Sequence, residues 1–493
     1  MKQQLHIAKE AGFSFAGFIA GQGLRFLFNL AVAKLLGAEY LGVYALSLAF
    51  IQIAEVLAVG GLDAGVLRYV NLGDARPDKQ RDLVAAALKS SFLYSLPVTF
   101  FLVVFSDSFA VMLDGDDLLR LTLICYACSV PFHVLVAVAG HAVQAHRKIR
   151  PKIIAGQILV PGGMLLLIVL INAFAGRTPA LLFSLPVSAF AGFIWIWLQL
   201  RRITGVSAGD VLRAKPEKDM LRYARPLMLV ALMGMVSHWL DILMLGWYAG
   251  AEIVGLYQPA VRTAGLMRSV FLAVAGIAAP IFAEMHSRGK IDELERLFRA
   301  VSRWVVMAAM PLAVLLLVMP GTVLALFGSV FTAAAPVLAV LAAAVLAQSF
   351  FGPYDTMLQM TGYSKICFIN GVAGLAAHAM LNMLLIPSYG MIGAAWALST
   401  VYLLLGAARV TEVRMFLGIH AFSISLLKPF AAGITSAVVL AAARPFLESL
   451  HAAVSLGGGM LLVLAVYLLL IRLMQLEQED LDVIFELFSF VKK

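Results

Sequence analysis

The residues of this chain best placed to do chemistry are ionisable groups set inside otherwise apolar stretches. Arg25 lies midway along the apolar block 13–33, Glu55 falls in 41–60, His238 and Asp241 in 226–247, and Arg262 and Arg268 in 254–283. An ionised side chain in hydrocarbon is costly. Such residues persist where they pair, line a polar path or meet a charged ligand. Arg25, Arg262 and Arg268 outnumber Glu55 and Asp241, and His238 can add to the positive excess. That sign suits a diphosphate, whereas a path for cationic drugs would lean acidic. The competing structural reading is that opposite charges pair to lock helices, or snorkel from span ends. Snorkelling is the expectation for Lys89, and hydrogen-bonded packing for the lone His133, His141 and His378.

The elements that must position these groups are membrane-spanning helices. The chain is 62% hydrophobic and 13% charged, with a mean hydropathy of +0.93, whereas a soluble domain carries about 25% charged residues. The apolar residues come in blocks of about 20, the length of a helix crossing the hydrocarbon core. They lack the period-2 alternation of a β-barrel. Fourteen blocks run approximately over 13–33, 41–60, 84–105, 121–143, 153–173, 180–200, 226–247, 254–283, 301–319, 331–352, 366–386, 391–409, 427–443 and 452–471. Lys2, Lys9 and Ala31-Val32-Ala33 imitate a secretory signal, but the block between them is too long and holds Arg25, so it reads as a retained first span.

Basic residues sort by gap. With the N-terminus inside, the cytosolic segments carry about 29 Lys and Arg, while the opposite gaps hold Lys34, Arg120, Arg177 and Arg444. Both termini are therefore expected in the cytosol. The net charge of +9 is a topology signal and does not point to nucleic acid. External gaps are too short for a catalytic domain. No G-x-x-x-x-G-K-[ST] loop, nucleophile with its base, or metal-ligand cluster is legible, so neither an enzyme nor a cofactor is expected. Cys125 and Cys128 form a C-x-x-C inside an apolar block, with no second pair to complete a metal site, and read as packing residues.

An internal repeat is legible. Gly37-Ala38-Glu39-Tyr40-Leu41-Gly42-Val43-Tyr44 returns as Gly250-Ala251-Glu252-Ile253-Val254-Gly255-Leu256-Tyr257, and Val143-Gln144 corresponds to Leu358-Gln359 at nearly the same offset. The offset aligns Arg25 with His238, Phe28 with Asp241 and Glu55 with Arg268. The paired turns read as structural, their glycines allowing close backbone approach, and Gln144 and Gln359 as turn-stabilising. An even number of spans separates the copies, so the two halves share one orientation. The expected organisation is an N-lobe over 1–200 (spans 1–6), a cytosolic linker over 201–225, a C-lobe over 226–426 (spans 7–12), spans 13 and 14 over 427–472, and a cytosolic amphipathic tail over 473–493.

Leu36 to Tyr44, Gly61-Leu62-Asp63-Ala64-Gly65-Val66-Leu67-Arg68-Tyr69, Asp241 before Leu245-Gly246, the gap from His286 to Arg299, and Asn382 with Pro387 to Ala395 together resemble the polysaccharide flippases. These belong to the multidrug/oligosaccharidyl-lipid/polysaccharide exporter superfamily. The resemblance implies an all-α polytopic membrane protein of two pseudo-symmetric six-helix lobes around a central cavity, with two extra C-terminal helices. It also implies alternating access and a substrate of undecaprenyl-diphosphate-linked oligosaccharide, moved to the periplasmic leaflet of the bacterial inner membrane for O-antigen or exopolysaccharide. In this superfamily spans 1, 2, 7 and 8 line the cavity. Arg25, Arg268, Arg262 and His238 are then the candidate substrate-binding residues, and Glu55 and Asp241 the candidate ion-coupling or cavity acids. Energy from the membrane potential, or from H+ or Na+ taken up at those acids, is equally compatible with the residues. Glycan polymerase machinery is a candidate partner alongside the lipid-linked glycan and the bilayer. A lipid II flippase or a cation-coupled multidrug exporter is the alternative within transport. A membrane glycan polymerase or ligase would want a sizeable periplasmic loop, and a non-transporting scaffold would leave the intramembrane charges only a pairing role.

Overall fold

The computed structural model describes residues 2–72, 76–422 and 424–474, and every element among them is helical. The amphipathic tail expected over 473–493 lies almost wholly outside the described residues. Among these, twelve helices are long and apolar enough to cross a membrane. Two of them are pairs of spans run together. Lys218–Ser287 breaks at Gly250 (φ 77°, ψ 175°), and Ser364–Leu417 breaks at Gly390 (φ 56°, ψ −135°). Only glycine holds such angles without strain, and each break falls between two of the apolar blocks. Fourteen crossings result, as the sequence pattern expects.

Proline shapes two further spans. The fourth is split into Asp117–Ala127 and Val130–Ala145, with Pro131 in the first turn of the second piece. The fifth, Arg150–Ala175, contains a π turn over Ile154–Leu159, immediately before Val160 and Pro161.

The chain divides into two compact units, Met1–Gln258 and Pro259–Lys493. In the first, the seventh span packs along the second. Trp239 Nε1 donates to Gln52 Oε1 at 3.1 Å, and a methyl added at Gly246 would meet Leu46 Cδ2 at 2.5 Å. The repeated turns meet each other reciprocally. A side chain on Gly42 would strike the Ala251 carbonyl, and one on Gly255 would strike the Ala38 carbonyl. Ala38 with Gly42 and Ala251 with Gly255 thus form paired small-x-x-x-small faces that bring two backbones together. The repeat also shows in side-chain contacts. Phe28 lies 4.9 Å from Tyr44, ring to ring, while at the aligned positions Asp241 Oδ2 accepts from the Tyr257 hydroxyl at 2.8 Å.

The linker helix Ala208–Arg213 is tied to the same unit. Asp210 Oδ2 accepts from Arg81 Nε at 2.9 Å and Nη2 at 2.6 Å, and closes a capping box with Ser207. The Ser207 backbone N–H and hydroxyl, with the Arg81 guanidinium, hold the Asp210 carboxyl down at about 2. The Lys89 ammonium donates to the carbonyls of Leu212 and Ala214 at 2.7 and 2.9 Å, satisfying the open end of the linker helix.

The second unit has its own aromatic core. Phe298 lies edge-on to Tyr354 at 4.8 Å and packs against Phe282, and the buried Tyr354 hydroxyl accepts from the Ala421 N–H at 2.9 Å. Burial pushes the Tyr354 phenol above its usual range.

Candidate functional site: cations inside the spans

Arg25 sits two helical turns after Gly17 and one after Gly21, on one face of the first span, at spacings of i, i+4 and i+8. The fifth span packs on that face. Arg25 Nη1 donates to Gln157 Oε1 at 2.7 Å and Nη2 to the Gly156 carbonyl at 3.2 Å. Both acceptors belong to the π turn and neither is charged. One turn further along, Asn29 Nδ2 caps the Arg25 carbonyl at 2.8 Å.

In the second repeat the aligned positions part company. His238 and Asp241 are three residues apart, yet His238 is exposed and packs edge-on to Trp239, while Asp241 is 3% exposed and held by Tyr257. Three residues rotate a helix by about 60° from a full turn, enough to carry one side chain across the edge of the packed face. Glu55 is half-buried on the second span, nearly one turn beyond Gln52.

In the second unit Arg268 is half-buried and faces a tyrosine. Nη1 reaches the Tyr402 hydroxyl at 3.3 Å, and the guanidinium carbon lies 5.9 Å from the ring centroid. Arg262, nearly two turns earlier, is also half-buried.

Several contributors escaped sequence reading. Gln157 and Tyr402, which hold the two arginines, carry no motif. The one available signal was a lone amide or hydroxyl inside an apolar block. Arg303, which the sequence sets at the end of a polar gap, is 4% exposed with Nη1 on Ser425 Oγ at 2.8 Å. Lys152 folds back so that its ammonium meets His141 Nε2 at 2.9 Å and Gln144 Oε1 at 2.6 Å. His141 and Gln144 are therefore joined through a cation, beyond the packing and turn roles expected of them. Gln359, the repeat partner of Gln144, donates to Asp355 at 2.8 Å, and Asp355 also pairs with Arg409 at 3.2 Å. Among the described residues, no group of three or more His, Cys, Asp or Glu is arranged to hold a metal.

Helical spans around embedded cations define a class, and the fold specifies it further. The chain is similar to the lipid II flippase MurJ in its inward closed conformation, with a TM-score of 0.76 at 14% identity over 94% of this chain and 98% of that one. It is also similar to an inward-facing multidrug resistance transporter of the MATE family, with a TM-score of 0.66 at 15% identity over 80% and 94%. It is a multi-pass membrane protein with the flippase and multidrug-exporter fold. Within that class the chain belongs to the polysaccharide biosynthesis protein family, whose model matches residues 7–286. Over 388 residues it is 25% identical to the probable low-salt glycan biosynthesis flippase of Haloferax volcanii, a stretch that covers 78% of each chain.

Proposed function

We propose that this protein is a flippase that carries undecaprenyl-diphosphate-linked oligosaccharide from the cytosolic to the periplasmic leaflet by alternating access. The obstacle to such transfer is solvation. The prenyl tail is at home in lipid, but a diphosphate and its sugars cannot leave water without replacement partners. One observation carries the reading. Arg25 and Arg268, each half-buried in a membrane-spanning helix, are engaged by a neutral amide, a carbonyl and a tyrosine. Acceptors of that kind satisfy guanidinium hydrogens while adding no negative charge of their own. The glycan biosynthesis role of the family and the flippase named among the relatives point the same way.

In this reading Arg25 and Arg268 meet the diphosphate, with Arg262 and His238 as accessory cations. Glu55 and Asp241 are the acids through which H+ or Na+ would bias the transport cycle. The inside-negative potential alone favours outward movement of an anion by about 2.3 kcal/mol per charge per 100 mV crossed in full. The protein then lies in the bacterial inner membrane with both termini cytosolic, works as a transporter with no cofactor, and feeds a glycan polymerase. The test is surface glycan in a strain that depends on this gene. Arg25→Ala and Arg268→Ala should each abolish display while the protein still inserts. Normal display in both would end the assignment.

A further inference from the structure

The contact between Arg25 and the fifth span is built with more care than a helix tie requires. Ile153 packs over Gly17, and Gln157 lies across Gly21, where a methyl would come 2.5 Å from Gln157 Oε1 and 2.9 Å from its carbonyl oxygen. The two glycines thus make a slot along which the Gln157 side chain reaches Arg25. The second donor of Arg25 depends on backbone chemistry. Within the π turn the Val160 N–H bonds to the Ala155 carbonyl, five residues back. In that register the Gly156 carbonyl would be served by residue 161, which is a proline without an N–H. The turn leaves the Gly156 carbonyl available, and Arg25 Nη2 takes it at 3.2 Å.

We propose that Gln157, with the Gly156 carbonyl released by the π turn and Pro161, is the positioning device of Arg25. It fixes the plane of the guanidinium that is to meet a phosphorylated lipid, and adds no negative charge beside it. The inference rests on the reading that Arg25 meets a diphosphate, and assigns Gln157 no contact with the ligand. A carboxylate at the same place would tie the helices at least as firmly but would set a negative charge against the guanidinium. A purely structural role and a positioning role therefore predict opposite outcomes for Gln157→Glu.

The test uses the full-length purified chain and undecaprenyl diphosphate, with binding followed by native mass spectrometry and thermal unfolding as the check on folding. Gln157→Glu should keep or raise the melting temperature and weaken undecaprenyl diphosphate binding about tenfold, the worth of one charged hydrogen-bond partner. Gln157→Asn, whose amide is one methylene too short to reach Arg25, should weaken binding severalfold. Placed in an Arg25→Ala background, it should have no further effect. Unchanged binding in Gln157→Glu, or an effect of Gln157→Asn that simply adds to that of Arg25→Ala, would overturn the positioning role. Unchanged binding in Arg25→Ala alone would instead remove the diphosphate reading beneath it.

Discussion

Arg25 and Arg268 carry the same charge in apolar surroundings, and their surroundings solve the same problem differently. Arg25 donates two hydrogen bonds to a π turn that packs against a glycine slot. Arg268 rests near a tyrosine through one longer bond of 3.3 Å and a distant ring face. The first arrangement fixes a planar fork; the second leaves it adjustable. Arginine at a rigid site matters for its shape as well as its charge. At a loose site the charge should suffice.

That contrast can be broken by experiment. The largest effect should come from deleting the guanidinium at the rigid site. Arg25→Ala should reduce undecaprenyl diphosphate binding about a hundredfold, as truncating one partner of a desolvated charged contact does. If Arg268→Ala cost as much and Arg25→Ala nothing, the ranking would be reversed. Next, Arg25→Lys should lose about tenfold because an ammonium cannot make the forked contact, while Arg268→Lys should stay within about threefold of wild type. Equal losses in the same binding titration would erase the distinction between rigid and adjustable sites.

Gly21→Ala should come third. A methyl in the slot pushes Gln157 aside, costing about 1–3 kcal/mol of stability on thermal unfolding as an overpacked contact. It should also weaken binding through Arg25 and leave the contribution of Arg268 intact. Fourth, Tyr402→Phe keeps the ring beside Arg268 and removes only the hydroxyl, so binding should fall by no more than about threefold. A larger loss would mean that Arg268 is gripped as firmly as Arg25.

The smallest effect lies outside the spans, where the linker is tied down by Asp210. Its carboxyl sits at about 2, below the usual 3.8. A depressed carboxylate contributes stability that is complete above its unfolded value and disappears as pH falls through its folded value. Asp210→Asn should therefore lower the melting temperature slightly at pH 7 and pH 5. The gap between variant and wild type should close as pH falls from about 4 towards 2. A gap that vanished by pH 5 would show that the tie does not depend on this carboxylate.

How much of this was legible beforehand differs by residue. Gly250 and Gly390 stood between apolar blocks, and their breaks follow from chain length and the geometry of one residue type. Gly42 and Gly255 announced themselves by repetition, although that the two copies would close on each other was not written in either. Arg25 and Arg268 were conspicuous because charge in an apolar block has few explanations. Their holders were not, since glutamine and tyrosine occur in spans for many reasons. The contact of Lys152 with His141 and Gln144 was hidden because sequence proximity to other basic residues says nothing about which way a long side chain folds back. That His238 is exposed and Asp241 buried was not legible either, since three-residue spacing leaves about 60° of rotation and the edge of the packed face falls within it.

By itself the sequence determined a helical membrane protein of fourteen spans with an internal repeat and a cationic bias inside them. Those properties depend on composition and on distances along the chain, which lipid thickness and helical rise convert directly into structure. Only the tertiary structure decided that Arg25 meets Gln157, that Arg268 meets Tyr402, and that Gly156 has a carbonyl to spare. Such pairings join residues more than 130 positions apart, and the rotation of one packed helix against another sets them. No local pattern of residues encodes that angle.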